Sequence, residues 1–315
     1  MNNLPFSEKY RPRKIEELIL DKIINTKIRN IIQNKDIPNI IFTGKSGVGK
    51  TSTIHCIARA IYPRKYHESI IELNASDDRG IKSVHETIIN FCKRKVDFEP
   101  GFAQHKLLIL DEADNITPKA QRLINSIMEK FPTTRFAFTC NNSTDIIESI
   151  QSRCIIIRFT KPPVQDFINR IKLICENEKI KYEESALRYL FEVCQKDLRQ
   201  TLNMLELTYR TYSSITIEKI NKICDIPSQE TLNELLENIT NKDIKKVCQI
   251  ITQFQNQGYY SLDVLLHFIQ YIKNYQNISE NQRIELINIL SNSSYIMSKS
   301  STNYIQLTGA LLSCI

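Results

Sequence analysis

An α/β fold, with a parallel sheet in the first half and helices behind it, is what this 315-residue sequence predicts, and three patterns predict it. Short apolar runs rich in β-branched residues alternate with segments of three-to-four-residue apolar spacing, as strands joined by crossover helices do. A glycine-rich stretch, GKSGVGKT at 44–51, follows the first apolar run and leads into a helical one. Beyond Lys161-Pro162-Pro163 almost every segment has helical period, with no convincing strand.

Taken in order, NIIFT (39–43) is the first strand, and Ile54, Ile57, Ala58 and Ile61 give the next segment one apolar helical face. SIIELNA (69–75) is the second strand, followed by a helix marked by Ile81, Val84, Ile88 and Phe91. KLLILDEAD (106–114) is the third strand, and its apolar run carries Asp111 to the strand end. Thr117-Pro118 opens a helix reaching about Phe131, because the hydroxyl can cap free amides and proline at the first helical position loses no hydrogen bond. RFAFTCN (135–141) and CIIIRF (154–159) complete the sheet. The paired prolines supply no backbone donors and disfavour helix in the residue before each, which sets a boundary at 160/161. Ile226-Pro227-Ser228 marks a second break, giving three expected domains: 1–160, 161–226 and 227–315. Polar patches such as SNSS and SKSST near the end predict loops.

Hydrophobic residues make up 42% of the chain and charged residues 24%, the composition of an ordinary globular protein. No apolar stretch reaches the ~18 residues that a membrane span needs, and MNNLPFSEKYRPRK lacks the apolar core of a secretory signal. An intracellular, soluble protein without a membrane partner is expected. Nine cysteines without a C-x-x-C pair, and five histidines without ligand spacing, predict reduced, packed thiols. Residues 1–160 hold 25 Lys and Arg against 18 Asp and Glu, whereas 161–315 hold 17 of each. The whole +7 excess therefore lies in the first half, which suits a polyanion partner for that half and equally a soluble surface.

GKSGVGKT matches G-x-x-x-x-G-K-[ST] in the strand–loop–helix setting that this phosphate-binding motif needs. Gly44, Gly47 and Gly49 let the backbone curl, so that amides from Gly44, Lys45, Ser46, Gly47, Val48 and Gly49 point inward and the helix N-terminus adds partial positive charge. Lys50 can reach β and γ phosphates and the Thr51 hydroxyl can bind magnesium. Asp111 would hold the same Mg2+, directly or through water, while Glu112 acts as base on an attacking water. Arg153, just ahead of CIIIRF, reads by itself as a solvated end-of-strand charge.

SEKYRPRKIEEL, GKSGVGKT, ELNASDDRGI, KLLILDEAD, CNN, IQSRC and KDLRQTLN, in that order, make the chain resemble the AAA+ clamp-loader ATPases, most closely the replication factor C small subunits. The resemblance covers the ATPase half and the start of the helical half; 227–315 match only in length and helical character. It implies an AAA+ P-loop domain, a small helical lid and a helical collar, with ATP and Mg2+ bound. Tyr10, Arg11 and Pro12 would border the adenine, Asn141 would orient water near the γ-phosphate, and Arg199 would reach the phosphates from the lid. Arg153 would act in trans on the nucleotide of a neighbouring subunit. Arg79, Gly80, Ile81 and Lys82 would meet DNA phosphates, and Phe98 and Phe102 lie where the family approaches its clamp, although core burial suits both phenylalanines equally. Lys45 and Lys196 stand where the family usually has proline and glycine, and Asn125 and Ser126 where two basic residues are frequent.

The implied function is ATP-dependent loading of a ring-shaped sliding clamp onto primer-template DNA during replication, within a hetero-pentamer of clamp-loader subunits. The implied setting is the nucleus if the source is eukaryotic, otherwise the cytoplasm or a viral replication compartment. Two other readings stay open at this point: another AAA+ DNA-processing ATPase, such as a branch-migration helicase or an initiator, and an ATP-binding structural subunit without turnover.

Overall fold

The computed structural model describes residues 4–74, 81–96, 101–161, 163–194, 196–224, 227–299 and 303–315. The chain divides into two units, Met1–Ile215 and Thr216–Ile315.

In the first unit, α1 (Phe6–Lys9) and α2 (Lys22–Asn34) precede β1 (Ile40–Thr43) and α3 (Lys50–Ile61). Then follow α4 (Tyr66–Ser69), β2 (Ile70–Asn74), α5 (Ile81–Lys93), β3 (Lys106–Asp111), α6 (Pro118–Lys130), β4 (Thr134–Cys140), α7 (Glu148–Gln151) and β5 (Ile155–Arg158). All five expected strands are present, each within a few residues of its expected bounds. They form one parallel sheet in the order β2-β3-β4-β1-β5. Thr117 caps α6, its hydroxyl accepting from the Ala120 amide at 3.4 Å.

Residues of β1, β3 and β4 are buried on both faces because helices cover both. Ile40, Phe42, Leu107, Ile109 and Ala137 pack with Ile24 and Ile28 of α2 and with Ile54, Ile57 and Ile61 of α3. The alternate residues Ile41, Leu108, Leu110, Phe136 and Phe138 pack with Ile88 of α5, with Ile124 and Ile127 of α6 and with Ile150 of α7. The period-two side-chain alternation of a strand thus feeds two cores. At roughly 1.5–3 kcal/mol for each large apolar side chain fully buried, these layers dominate the stability of the unit.

After β5 come α8 (Val164–Asn177), β6 (Lys181–Tyr182), α9 (Glu184–Val193), α10 (Leu198–Tyr212) and β7 (Ser214–Ile215). The expectation of no strand in this region needs correcting, since β6 and β7 pair in parallel. Two residues each are too few to leave a periodic pattern in the sequence.

The second unit is helical: α11 (Ile217–Cys224), α12 (Gln229–Thr240), α13 (Ile244–Asn256), α14 (Ser261–Asn274), α15 (Glu280–Lys299) and α16 (Tyr304–Leu312). Its core is built from residues such as Leu235, Ile251, Phe254, Phe268, Leu290 and Leu307. None of the nine cysteines forms a disulfide. Among the described residues no helix is long and apolar enough to cross a membrane.

His105, just ahead of β3, is only 6% exposed, and burial pushes its imidazole down to about 4 against the opposing pull of Asp36. Between that value and the ordinary 6.5, the unfolded chain binds a proton that the folded chain does not, so stability falls as pH drops through the window. The loss is at most about 3 kcal/mol. Urea unfolding at pH 7 and pH 4.5 should show a smaller acid loss in His105→Gln than in the unmodified chain; equal losses would remove His105 from the acid limb.

Candidate functional site

Because the sheet is parallel, β1, β3 and β4 present their carboxyl ends at one edge, where ligands gather in open α/β folds. Residues 44–49 leave β1 there and turn into α3. Gly47 has φ +74°, and a Cβ on it would come within 2.4 Å of the Asp197 carboxylate. Gly44 approaches Phe159 so closely that a Cβ would lie 2.6 Å from that carbonyl oxygen. Side chains are therefore excluded from the curve of the loop by space as well as by backbone conformation. Gly49, in the N-cap position of α3, offers no side-chain cap, which leaves the first amides of the helix for an anion.

Lys50 donates from Nζ to the carbonyl of Gly44 at 2.6 Å, to that of Lys45 at 3.0 Å and to Asn141 Oδ1 at 3.2 Å. Burial lowers its pKa, opposed by Cys140, Asp114, Asp111 and Asp197. Thr51 Oγ1 donates to Asp111 at 3.0 and 3.2 Å, linking the start of α3 to the end of β3. Glu112 follows with φ +54° and ψ +43°, a left-handed conformation that costs a non-glycine residue about 1–3 kcal/mol. Its amide donates to Thr139 Oγ1 at 3.2 Å, and its carboxylate accepts from Asn115 Nδ2 at 3.4 Å. Asn141, just past β4, is held through its amide by Asp114 Oδ2 at 3.0 Å.

These groups face a cavity of about 410 Å³, lined on the loop side by Ser46, Gly47, Val48, Gly49, Lys50 and Thr51. Gly44 and Lys45 do not line it; their carbonyls anchor Lys50 instead. Tyr10, Arg11 and Pro12 also line the cavity. The Tyr10 hydroxyl donates to Glu178, and its pKa is raised by burial first and by that carboxylate second. The Tyr10 carbonyl accepts from Arg170 at 3.3 Å, and that of Pro12 from Cys56 Sγ at 3.4 Å.

Arg199 lines the cavity, but its guanidinium lies 3.5 Å from Glu8. It is carried by α10, which Asp197 caps by accepting from the Gln200 amide at 3.1 Å. Lys196, standing where the family resemblance implies glycine, adopts φ +63°. A lysine is thus held in the left-handed conformation that glycine adopts without strain.

Arg153 is not brought to the cavity. It pairs with Glu129 of α6 at 2.5 Å and donates to the Ser149 carbonyl at 3.0 Å. Arg79, Gly80 and Phe98 lie outside the described residues; Ile81 and Lys82 open α5, but their side chains lie outside them too. Phe102 is partly buried, with Lys35 Nζ 5.1 Å from its ring centre. Asn125 and Ser126 fall on α6, where Asn125 donates to Glu129 at 3.3 Å.

Sequence reasoning missed Thr139, Asp114 and Asp197. For Thr139 the signal was strand alternation, which puts it on the same side as Asn141; for Asp197 it was an N-cap residue directly ahead of a helix.

Residues 40–162 match the family model of the ATPases associated with various cellular activities (AAA), and 227–313 match the replication factor C C-terminal domain. A putative replication factor C small subunit of Acanthamoeba polyphaga mimivirus is 36% identical over 311 residues, covering 98% of this chain and 96% of that one. The chain belongs to the replication factor C small-subunit family. A probable replication factor C subunit 2 of Dictyostelium discoideum is 35% identical, covering 98% of this chain and 91% of that one. Replication factor C subunit 4 of Saccharomyces cerevisiae is 33% identical, covering 98% and 94%. A RuvB structure from Thermotoga maritima superposes with a TM-score of 0.55 at 17% identity, covering 73% of this chain and 79% of that one, a likeness of fold. As a replication factor C small subunit with an AAA domain, the chain is a nucleotide-binding ATPase.

The donors also fit magnesium. Thr51 and Asp111, already in mutual contact, would supply two hard oxygen ligands, and Mg2+ takes few protein ligands when substrate phosphates and water complete its shell. Among the described residues no cluster of three or more His, Cys, Asp or Glu is arranged for a metal.

Proposed function

We propose that this chain is an ATP-hydrolysing subunit of a hetero-pentameric clamp loader, which places a ring-shaped sliding clamp on primer-template DNA. The observation that carries the reading is the convergence of Lys50, Thr51, Asp111, Glu112 and Asn141 on one cavity while Arg153 stays outside it. Lys50 and the loop amides balance phosphate charge, Glu112 takes a proton from the attacking water, and Asn141 orients that water. Mg2+ held by Thr51 and Asp111 would supply further neutralisation of the phosphate oxygens. Tyr10, Arg11 and Pro12 border the base, and Arg199 reaches the phosphates once it leaves Glu8. The chain works as three parts, an ATPase domain at 1–160, a lid at 161–226 and a collar at 227–315; the AAA and C-terminal-domain matches support the outer two. Its setting is wherever the source replicates DNA: a nucleus, a prokaryotic cytoplasm or a viral replication compartment.

Arg79, Gly80, Ile81 and Lys82 contact the phosphates of DNA, and the basic excess of residues 1–160 supports that reading. The test is ATPase stimulation of the assembled complex by primer-template plus clamp. With about six phosphates neutralised, log affinity for DNA should fall against log salt with a slope near −5. A flat salt response, or no stimulation, would sink the reading.

A further inference from the structure

The Thr139 hydroxyl stands between the two acidic residues of the site. It donates to Asp111 Oδ1 and accepts from the Glu112 amide at 3.2 Å, so its one hydrogen and one of its lone pairs are both used. The side chain is 1% exposed, on the central strand β4, whose buried neighbours leave it no room to wander. Asp111 also accepts from Thr51. Once Thr51 gives its oxygen to an ion, Thr139 is the threonine that still holds the carboxylate in place. The same hydroxyl fixes the amide of a residue in a left-handed conformation, the step that turns Glu112 off the end of β3.

We propose that Thr139 is a positioning residue for metal binding and hydrolysis, fixing the Asp111 carboxylate and the Glu112 backbone through one hydroxyl. The inference rests on the reading of Asp111 as a magnesium holder and Glu112 as base. Outer partners of metal-holding carboxylates are commonly worth about 10–100-fold in metal affinity or activity.

Thr139→Val keeps the shape and removes both bonds, whereas Thr139→Ser keeps both. Mn2+ binding to the full chain with ADP, read by the electron paramagnetic resonance of free Mn2+, should weaken by about 10–100-fold in Thr139→Val and stay within about threefold in Thr139→Ser. In the assembled complex kcat at saturating ATP should fall over the same range in Thr139→Val. Should Thr139→Val fail to fold, Thr139→Ala against Thr139→Ser carries the same comparison. Mn2+ affinity and kcat in Thr139→Val within threefold of the unmodified chain would overturn the proposal. So would equal losses in Thr139→Ser, which would make the role one of packing. Asp111→Asn separates the underlying reading: if it leaves Mn2+ affinity unchanged, Asp111 holds no metal and the inference falls with that reading.

Discussion

Glu112→Gln is expected to lower ATP turnover by about 10²–10⁴ while nucleotide affinity stays within about threefold. Among the described residues the side chain makes a single hydrogen bond, to Asn115 at 3.4 Å, and glutamine can still accept it, so the substitution removes the proposed base without disturbing what surrounds it. Position is held by the backbone: the left-handed conformation and the amide bond to Thr139 belong to the main chain and survive the change. On the proposed reading, binding depends on other groups, the loop amides, Lys50 and the Thr51–Asp111 pair. Single-turnover hydrolysis by the assembled complex, alongside equilibrium binding of ATP, separates the two effects. A variant that hydrolyses ATP within threefold of the normal rate would show that the water loses its proton elsewhere. A variant that loses affinity as steeply as rate would make Glu112 a binding group.

Much of the site was legible because its chemistry is local in sequence. The loop 44–51, with its three glycines and Lys50, is contiguous, and the run ending at Asp111 announces a strand delivering an acid to the sheet edge. Sheet membership was equally plain, since five apolar runs alternating with helical period leave few alternatives to a parallel sheet covered on both faces. What could not be read were contacts between distant strands and helices. Thr139 meets Asp111 and Glu112 only because β4 lies beside β3, an order that no residue spacing encodes. The Asp197 carboxylate closes on Gly47 from 150 residues away, and Glu178 draws Tyr10 against α8 from a similar distance. The short strands β6 and β7 were missed for a different reason: two-residue elements have no period to detect.

The largest effect is expected at Arg153, and at a neighbour's site rather than this chain's own. In the chain by itself the guanidinium rests on Glu129 at 2.5 Å, with the two side chains 41% and 51% exposed. An ion pair so open to water is worth about 0–1 kcal/mol. A cation brought to the oxygens of a transferring phosphoryl group is worth about 10³–10⁵ in rate, or roughly 4–7 kcal/mol. On the proposed reading, leaving Glu129 costs little against what the transition state returns, and the pair would be a resting place that assembly can empty. Arg153→Ala should leave the ATP affinity of this chain within twofold, because no part of Arg153 lines its cavity. In the assembled complex, the burst of a single-turnover experiment should lose the amplitude of one site, with turnover there reduced at least 10³-fold. Arg153→Lys should recover only a part, since an ammonium cannot reproduce the planar two-pronged contact with phosphate oxygens. If Arg153→Ala instead weakens this chain's own ATP binding and spares every other site in the complex, the arginine serves its own nucleotide and the dependence of hydrolysis on a neighbour is lost.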